Sequence, residues 1–178
     1  MGEGTRGFAA RKAGLRSGAG SPVGMKAYLP DVAAIIAAYD HKTWGDIDRA
    51  HGELTQRYGL VPLLPLLIVA CRSLRSWKAR KTLLFYLLPH AREYPAMVDL
   101  ALDLIHDRAR MVREEALGIL AYSLERRALD ALKQNLAHPD PDTRASVVAA
   151  IDAIEHQDHH RFLDRDHQCN TRWIVRPR

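Results

Sequence analysis

An all-α fold is predicted, an α-α superhelix of stacked helix pairs with degenerate caps at its ends, and three observations predict it. A helical phrase is repeated with drift: Lys78-Ala79-Arg80-Lys81-Thr82-Leu83-Leu84, Met111-Val112-Arg113-Glu114-Glu115-Ala116-Leu117 and Asp142-Thr143-Arg144-Ala145-Ser146-Val147-Val148. Its arginines, Arg80, Arg113 and Arg144, recur at a nearly even interval, as expected where stacked two-helix units follow one another. Apolar residues recur at helical spacing along the chain, and aromatics make up only 7% of it.

The first helix is expected to start at Pro30 and Asp31, with Val32, Ile35, Ile36 and Tyr39 as its stripe at i, i+3, i+4 and i+7. Thr43 is the expected N-cap of the second, which carries Ile47, Ala50, His51, Leu54 and Tyr58 and ends at Gly59. Pro62 then opens a third helix, apolar nearly all round to Ala70, a pattern that predicts a helix sandwiched between neighbours. Ser76 caps a fourth, ending near Pro89. Tyr94-Pro95 opens its partner, running to about His106. A second pair is expected over 110–124 and 126–137, and Asp140-Pro141 begins a further first helix reaching Glu155. Beyond Asp158 only Phe162 and Leu163 hold the register. Trp173, Ile174 and Val175 are expected to fold back as a plug, so 166–178 reads as a worn terminal cap.

Residues 25–178 are therefore read as one domain, with N-terminal helices over 30–74 and repeats over 75–165. Residues 1–24, rich in Gly, Ala and Ser and without apolar period, lack the surface to build a core. Three readings stand open for them: a flexible tail or an upstream start before Met25, an Arg-rich transit peptide, or a functional basic arm. That segment holds Arg6, Arg11, Lys12 and Arg16 against Glu3. Of the chain's 26 basic and 21 acidic residues, 22 and 20 remain beyond it. Basicity thus belongs mainly to the tail, which weakens the case for nucleic acid.

The longest apolar run, Leu60 to Cys71, contains Pro62 and Pro65 and is shorter than the ~18–20 residues of a membrane span, so no membrane partner is expected. Cys71 sits in that apolar helix as a small hydrophobe, and Cys169 lies in a polar tail. One possible cysteine pair makes no disulfide framework, which points to a reducing compartment and a cytoplasmic location.

The phrase Leu136-Ala137-His138-Pro139-Asp140-Pro141-Asp142-Thr143-Arg144 is similar to the junction between HEAT repeats. In that family Asp and Pro turn the chain between units, and a small or β-branched residue followed by Arg opens the next first helix. Ala79-Arg80 and Val112-Arg113 fit the same slot, with Asp107-Arg108-Ala109-Arg110 in place of the turn prolines. The resemblance covers about 75–165. It implies that Arg80, Arg113 and Arg144 are scaffold residues tied to acidic groups at the junctions. It also implies that second helices line a concave surface. On function it is nearly silent, because solenoids serve many roles.

Three constellations could carry function. Asp99, Asp103 and His106 stand at i, i+4 and i+7 on the second helix of the first clear repeat. A shift by the interval from Arg113 to Arg144 places Asp130 beside Asp99 and Gln134 beside Asp103, with Lys133 beside Leu102. This ribbon reads as a solvated face, as a protein-binding surface, or as carboxylates and a His able to hold metal or move a proton. Arg72, Arg75, Lys78, Arg80 and Lys81, with Trp77 among them, suit phosphates and a stacked base. They equally suit scaffold and packing. The third is His156, His159, His160, His167 and Cys169, where His156 and His160 at i, i+4 have the spacing to chelate a metal from one helix. They match no zinc signature, and a soluble helix end would look the same.

The chain has no P-loop, dinucleotide-binding glycine fingerprint or nucleophile elbow, and Gly118 within a helix reads as room for close packing. It also lacks the His-Glu dipeptides of HEAT-like iron hydroxylases and the diagnostic catalytic motifs of HEAT-like DNA glycosylases. The leading expectation is a non-catalytic protein-binding module without cofactor: an adaptor, assembly factor or inhibitor, such as a toxin-neutralising immunity protein. Nucleic-acid binding or repair through Arg72 to Lys81, and a metal-dependent enzyme, are the alternatives.

Overall fold

The computed structural model describes residues 28–40, 43–168 and 171–176. The expectations for residues 1–24 and for Cys169 lie outside the described residues. The described residues form eight α-helices and no strand: α1 Val32–Tyr39, α2 Trp44–Tyr58, α3 Leu60–Ser73, α4 Trp77–Leu87, α5 Pro95–Leu104, α6 Arg110–Ser123, α7 Leu129–Gln134 and α8 Pro141–Glu155. Among them no helix is long and apolar enough to cross a membrane.

Side-chain caps explain four of these eight helix starts. Asp31 accepts the amide of Ala34 at 2.7 Å, Thr43 that of Asp46 at 3.3 Å, Ser76 that of Ala79 at 3.4 Å and Asp140 that of Asp142 at 3.1 Å. Each satisfies one donor that the first helical turn leaves without a partner. Gly59, at φ +77°, ends α2 and turns directly into α3, a backbone state that glycine enters without a Cβ clash. Leu124 closes α6 at φ 59° and Gln157 follows α8 at φ 54°, both left-handed. The Gln157 side-chain amide donates to the carbonyls of Leu124 and Ile154, at 3.0 and 2.8 Å, which ties those two helix ends together.

Helix α4 packs on α6 and α6 on α8, while α3, α5 and α7 each pack on the helix that follows. Their buried faces share one apolar cluster running from Ile35 and Tyr39 to Ile154 and Phe162. Two expectations need correction. The segment expected as one helix over 126–137 is a 3₁₀ turn Arg126–Ala128, the short α7, and a second 3₁₀ turn Asn135–Ala137. Apart from Leu132 it offers the core only Ala128 and the polar Asn135 as buried residues, too little apolar face to hold a long helix in line. Helix α3 does pack between neighbours, against α1, α2, α4 and α5, but it is not covered all round: Val61 and Val69 are 59% and 50% exposed beside the buried face of Leu63, Leu64, Leu67, Ile68 and Cys71.

The repeated arginine is the fold's regular element. Arg80 donates through Nη1 to the carbonyls of Leu74 and Arg75, at 2.7 and 3.0 Å. Its Nε and Nη2 fork onto Asp107, at 2.7 and 3.0 Å. One unit later Arg113 donates to the carbonyls of Asp107 and Arg108, at 2.9 and 3.2 Å, and to Asp140 at 2.5 Å and Thr143 at 3.0 Å. Arg144 reaches the carbonyls of His138 and Pro139, at 2.7 and 3.0 Å. Each guanidinium therefore closes the turn just behind it, and the first two also hold the acid of the next junction. Asp107 in turn accepts the Ala109 amide at 2.8 Å, so one carboxylate holds the turn before α6 and anchors Arg80.

Arg80→Ala leaves Asp107 buried without its counter-charge and should cost about 3 kcal/mol. Arg144→Ala removes hydrogen bonds to two carbonyls and should cost only about 1 kcal/mol. Urea unfolding of both variants measures the difference; equal losses would contradict the pairing.

Candidate functional site

The ribbon expected along the second helices is built from ion pairs between units. Asp103 on α5 accepts from Arg72 at the end of α3 at 2.8 Å, and Asp99 from Arg127 at 2.5 Å. Arg127 also donates to the Pro95 carbonyl at 2.9 Å, which fixes its guanidinium on the first turn of α5. Lys133 on α7 lies 3.4 Å from Glu155 at the end of α8. Asp130, Lys133 and Gln134 are all exposed on α7. His106, also exposed, lies beyond the end of α5, so the helical step that would align it with Asp99 and Asp103 is not made. The charges around Asp99 and Asp103 are thus set by Arg127 and Arg72. Arg127 was invisible as a partner because its pairing joins separate elements far apart in the chain.

The basic cluster is largely engaged as well. Arg80 is in its junction, Arg72 is on Asp103, and Lys81 Nζ is 3.0 Å from Glu115 Oε1. Burial pushes the Glu115 carboxyl up from its ordinary value, and the Lys81 charge opposes that rise. Trp77 meets Trp44 edge-on, with ring centroids 5.6 Å apart, and the Lys78 ammonium is 5.9 Å from the Trp44 ring centre. Arg75 is exposed.

His156 and His160 do not share a helix face, because α8 ends at Glu155 and Gln157 reverses the backbone. His156 and His167 both contact Asp152, at 3.0 and 2.9 Å, beside Arg161 at 3.2 Å. The ligand-type atoms that do lie together, within 4.8 Å, belong to Asp158, His159 and His160. Their nitrogens have other work. His160 Nδ1 accepts the Trp173 amide at 2.9 Å, and His159 Nε2 donates to the Trp173 carbonyl at 3.0 Å. His159 Nδ1 faces Arg92 Nη2 at 3.2 Å. Burial, together with the Arg92 charge, lowers the His159 pKa and favours the neutral ring these bonds need.

This histidine latch holds the C-terminal segment against a cleft of about 720 Å³, a size typical of ligand-binding cavities. It is lined by Tyr86 of α4, by Glu114, Glu115 and Gly118 of α6, and by Arg165, Trp173 and Arg176. The indole lies over Gly118, where an added Cβ would be in ordinary van der Waals contact with Trp173 Cη2 at 3.5 Å and Phe162 Cε1 at 3.6 Å. Of the expected plug, Trp173 packs against the body over Gly118, while Ile174 is 66% exposed. None of the ribbon residues lines the cleft.

Behind the cleft wall, Tyr86 stacks on His51, with centroids 3.7 Å apart and planes at 4°, and donates to Asp48 at 3.0 Å. The Tyr39 hydroxyl, kept protonated by burial, donates to His51 Nδ1 at 2.6 Å. Burial pushes the His51 pKa down to about 4, against the pull of Asp48. Comparison with family models, with curated proteins and with solved structures finds no match to this chain.

A folded-state His51 pKa below the ordinary 6.5 means the unfolded chain binds the proton more readily. Its contribution is complete above pH 6.5 and is lost as pH falls toward 4, by roughly 2 kcal/mol at pH 4.5. Urea unfolding at pH 7 and 4.5, compared with His51→Gln, isolates it. An unchanged pH slope in the variant would contradict the buried neutral imidazole.

Proposed function

We propose that the chain is a non-catalytic, HEAT-like protein-binding module that docks a partner along the ribbon of α3, α5 and α7. The clamp repeated at Arg80, Arg113 and Arg144 supports the repeat architecture, since it places equivalent bonds at the junction resemblance of each unit. The observation that carries the binding role is the charge ladder Arg72–Asp103 and Arg127–Asp99. It presents alternating charges on packed helices, and such a pattern selects a partner by complementarity. Both carboxylates already have guanidinium partners, which suits recognition better than proton transfer or metal ligation. Asp130, Lys133 and Gln134 extend the surface onto α7. Docking is steric in effect: a packed surface holds a partner segment in place or occludes it, as an adaptor, assembly factor or immunity-type inhibitor does.

Capture from a cell extract by the full chain, compared with Asp99→Lys/Asp130→Lys, tests this. The exposed ion pair at Asp99 contributes no more than about 1 kcal/mol, so the variant should stay folded. The expected outcome is loss of an identified partner, with at least tenfold weaker binding of that partner once purified. Undiminished binding would refute the ribbon. Titration with single- and double-stranded oligonucleotides at ~50 mM salt covers the phosphate reading through Arg72, Arg75 and Lys78, where steep salt dependence would displace a protein partner.

A further inference from the structure

Asp158, His159 and His160 follow one another in the chain, and residues so close in sequence do not ordinarily face each other on a helix. Here each is half-buried and offers a ligand-type atom within 4.8 Å of the other two. The Asp158 carboxylate caps the 3₁₀ turn His159–Phe162, accepting the His160 amide through Oδ1 at 3.0 Å. Its Oδ2 stands 4.0 Å from Arg161 Nε, too long for a hydrogen bond. The partners of the two rings fix their tautomers. The Trp173 carbonyl only accepts, so His159 Nε2 carries the proton, and Nδ1 turns a lone pair to Arg92 Nη2 at 3.2 Å. The Trp173 amide only donates, so His160 Nδ1 also presents a lone pair. Both imidazoles are thus in the neutral form that a metal ion requires. The bond from His159 Nε2 to a backbone carbonyl is, in addition, the outer partner that metal-bound histidines usually have.

We propose that Asp158, His159 and His160 form a site for a divalent ion of the zinc class, and that its occupation excludes the hydrogen bond from the Trp173 amide to His160. Two imidazoles and a carboxylate suit zinc and leave its fourth position to water. Ligand atoms of a tetrahedral zinc stand about 3.3 Å apart, so side-chain rotation on the turn closes the remaining gap. At His159 Nδ1 the ion displaces Nη2 of the exposed Arg92, while the bond from Nε2 to the Trp173 carbonyl stays compatible with it. His160 has no such freedom. Zinc on Nδ1 takes the lone pair that the Trp173 amide uses, and zinc on Nε2 moves the ring proton to Nδ1, where it opposes the amide hydrogen. Either way the C-terminal segment loses one of its two ties, and zinc occupancy is read out as its release. His156 and His167 are engaged elsewhere, on Asp152. The site goes beyond the ribbon and shares no residue with it.

Calorimetric titration of the full chain, free of a polyhistidine tag, with zinc chloride tests this. The expected result is about one zinc per chain at micromolar affinity, with the Trp173 backbone amide resonance of the ¹⁵N-labelled chain shifting as zinc is added. Asp158→Asn keeps an Oδ1 acceptor for the His160 amide, so it should leave the unfolding midpoint unchanged while weakening zinc at least tenfold. His159→Ala/His160→Ala should abolish binding, and His156→Ala/His167→Ala should leave it intact. Zinc bound only at millimolar concentration, or equally well by Asp158→Asn, overturns the site even where the double histidine variant fails to fold. Zinc bound with the Trp173 amide resonance unmoved overturns the exclusion. Asp99→Lys/Asp130→Lys should bind zinc normally, so failure at the ribbon and failure here are told apart.

Discussion

Arg80 and Arg113 each bring a full positive charge into a junction where only 7% of the residue remains exposed. Removing such a charge from water is costly unless every donor finds an acceptor and a counter-ion stands close by. Both conditions are met by the turn itself. Its carbonyls take Nη1 and an aspartate takes Nη2 in both, while Nε goes to that same aspartate from Arg80 and to the Thr143 hydroxyl from Arg113. At Asp140 the Thr143 hydroxyl and then Arg113 hold the carboxyl below its ordinary pKa, so the charge that Arg113 needs is present through the neutral range. Each guanidinium is thereby a bolt between one loop and the next. Of the helices that it places, α4 and α6 supply residues that line the cleft.

Arg144 shows what happens where the series stops. It keeps the two carbonyls of its own turn, while Thr171 stands where the spacing of Arg80 to Asp107 and of Arg113 to Asp140 would put an acid. Instead of another layer the chain supplies a 3₁₀ turn, His159–Phe162, and the segment whose Trp173 lies over Gly118. That 3₁₀ turn packs on α6 and α8, and Phe162 and Trp173 meet over Gly118 of α6.

What the sequence made legible was local. The Asp-Pro turn, the caps Asp31, Thr43, Ser76 and Asp140 and the stripe of α1 are all set by residues within a few positions of each other, and the arginine marks each turn from just beyond it. Trp173 as a plug was also readable, since an aromatic-aliphatic cluster in a polar tail has little other use. The misses have separate physical causes. Arg127 with Asp99, Arg72 with Asp103 and Lys81 with Glu115 meet across a whole unit of sequence, and no periodicity announces which opposite charges will face each other. His156 and His160 failed as a pair because a left-handed Gln157 ended the helix on which their spacing depended. The short α7 escaped because its apolar residues are too few to hold a helix through 126–137.

The dependence of the fold on paired guanidinium and carboxylate groups is tested most directly by a double-mutant cycle on Arg80→Met and Asp107→Leu, followed by urea unfolding. Each single change strands a buried group, whereas the double change removes both charges. The paired junction therefore predicts a coupling of at least about 2 kcal/mol, with the double variant well more stable than the two losses summed would make it. Losses that add to within about 0.5 kcal/mol would mean that the two side chains act independently, and the junction would not be what holds successive helices in place.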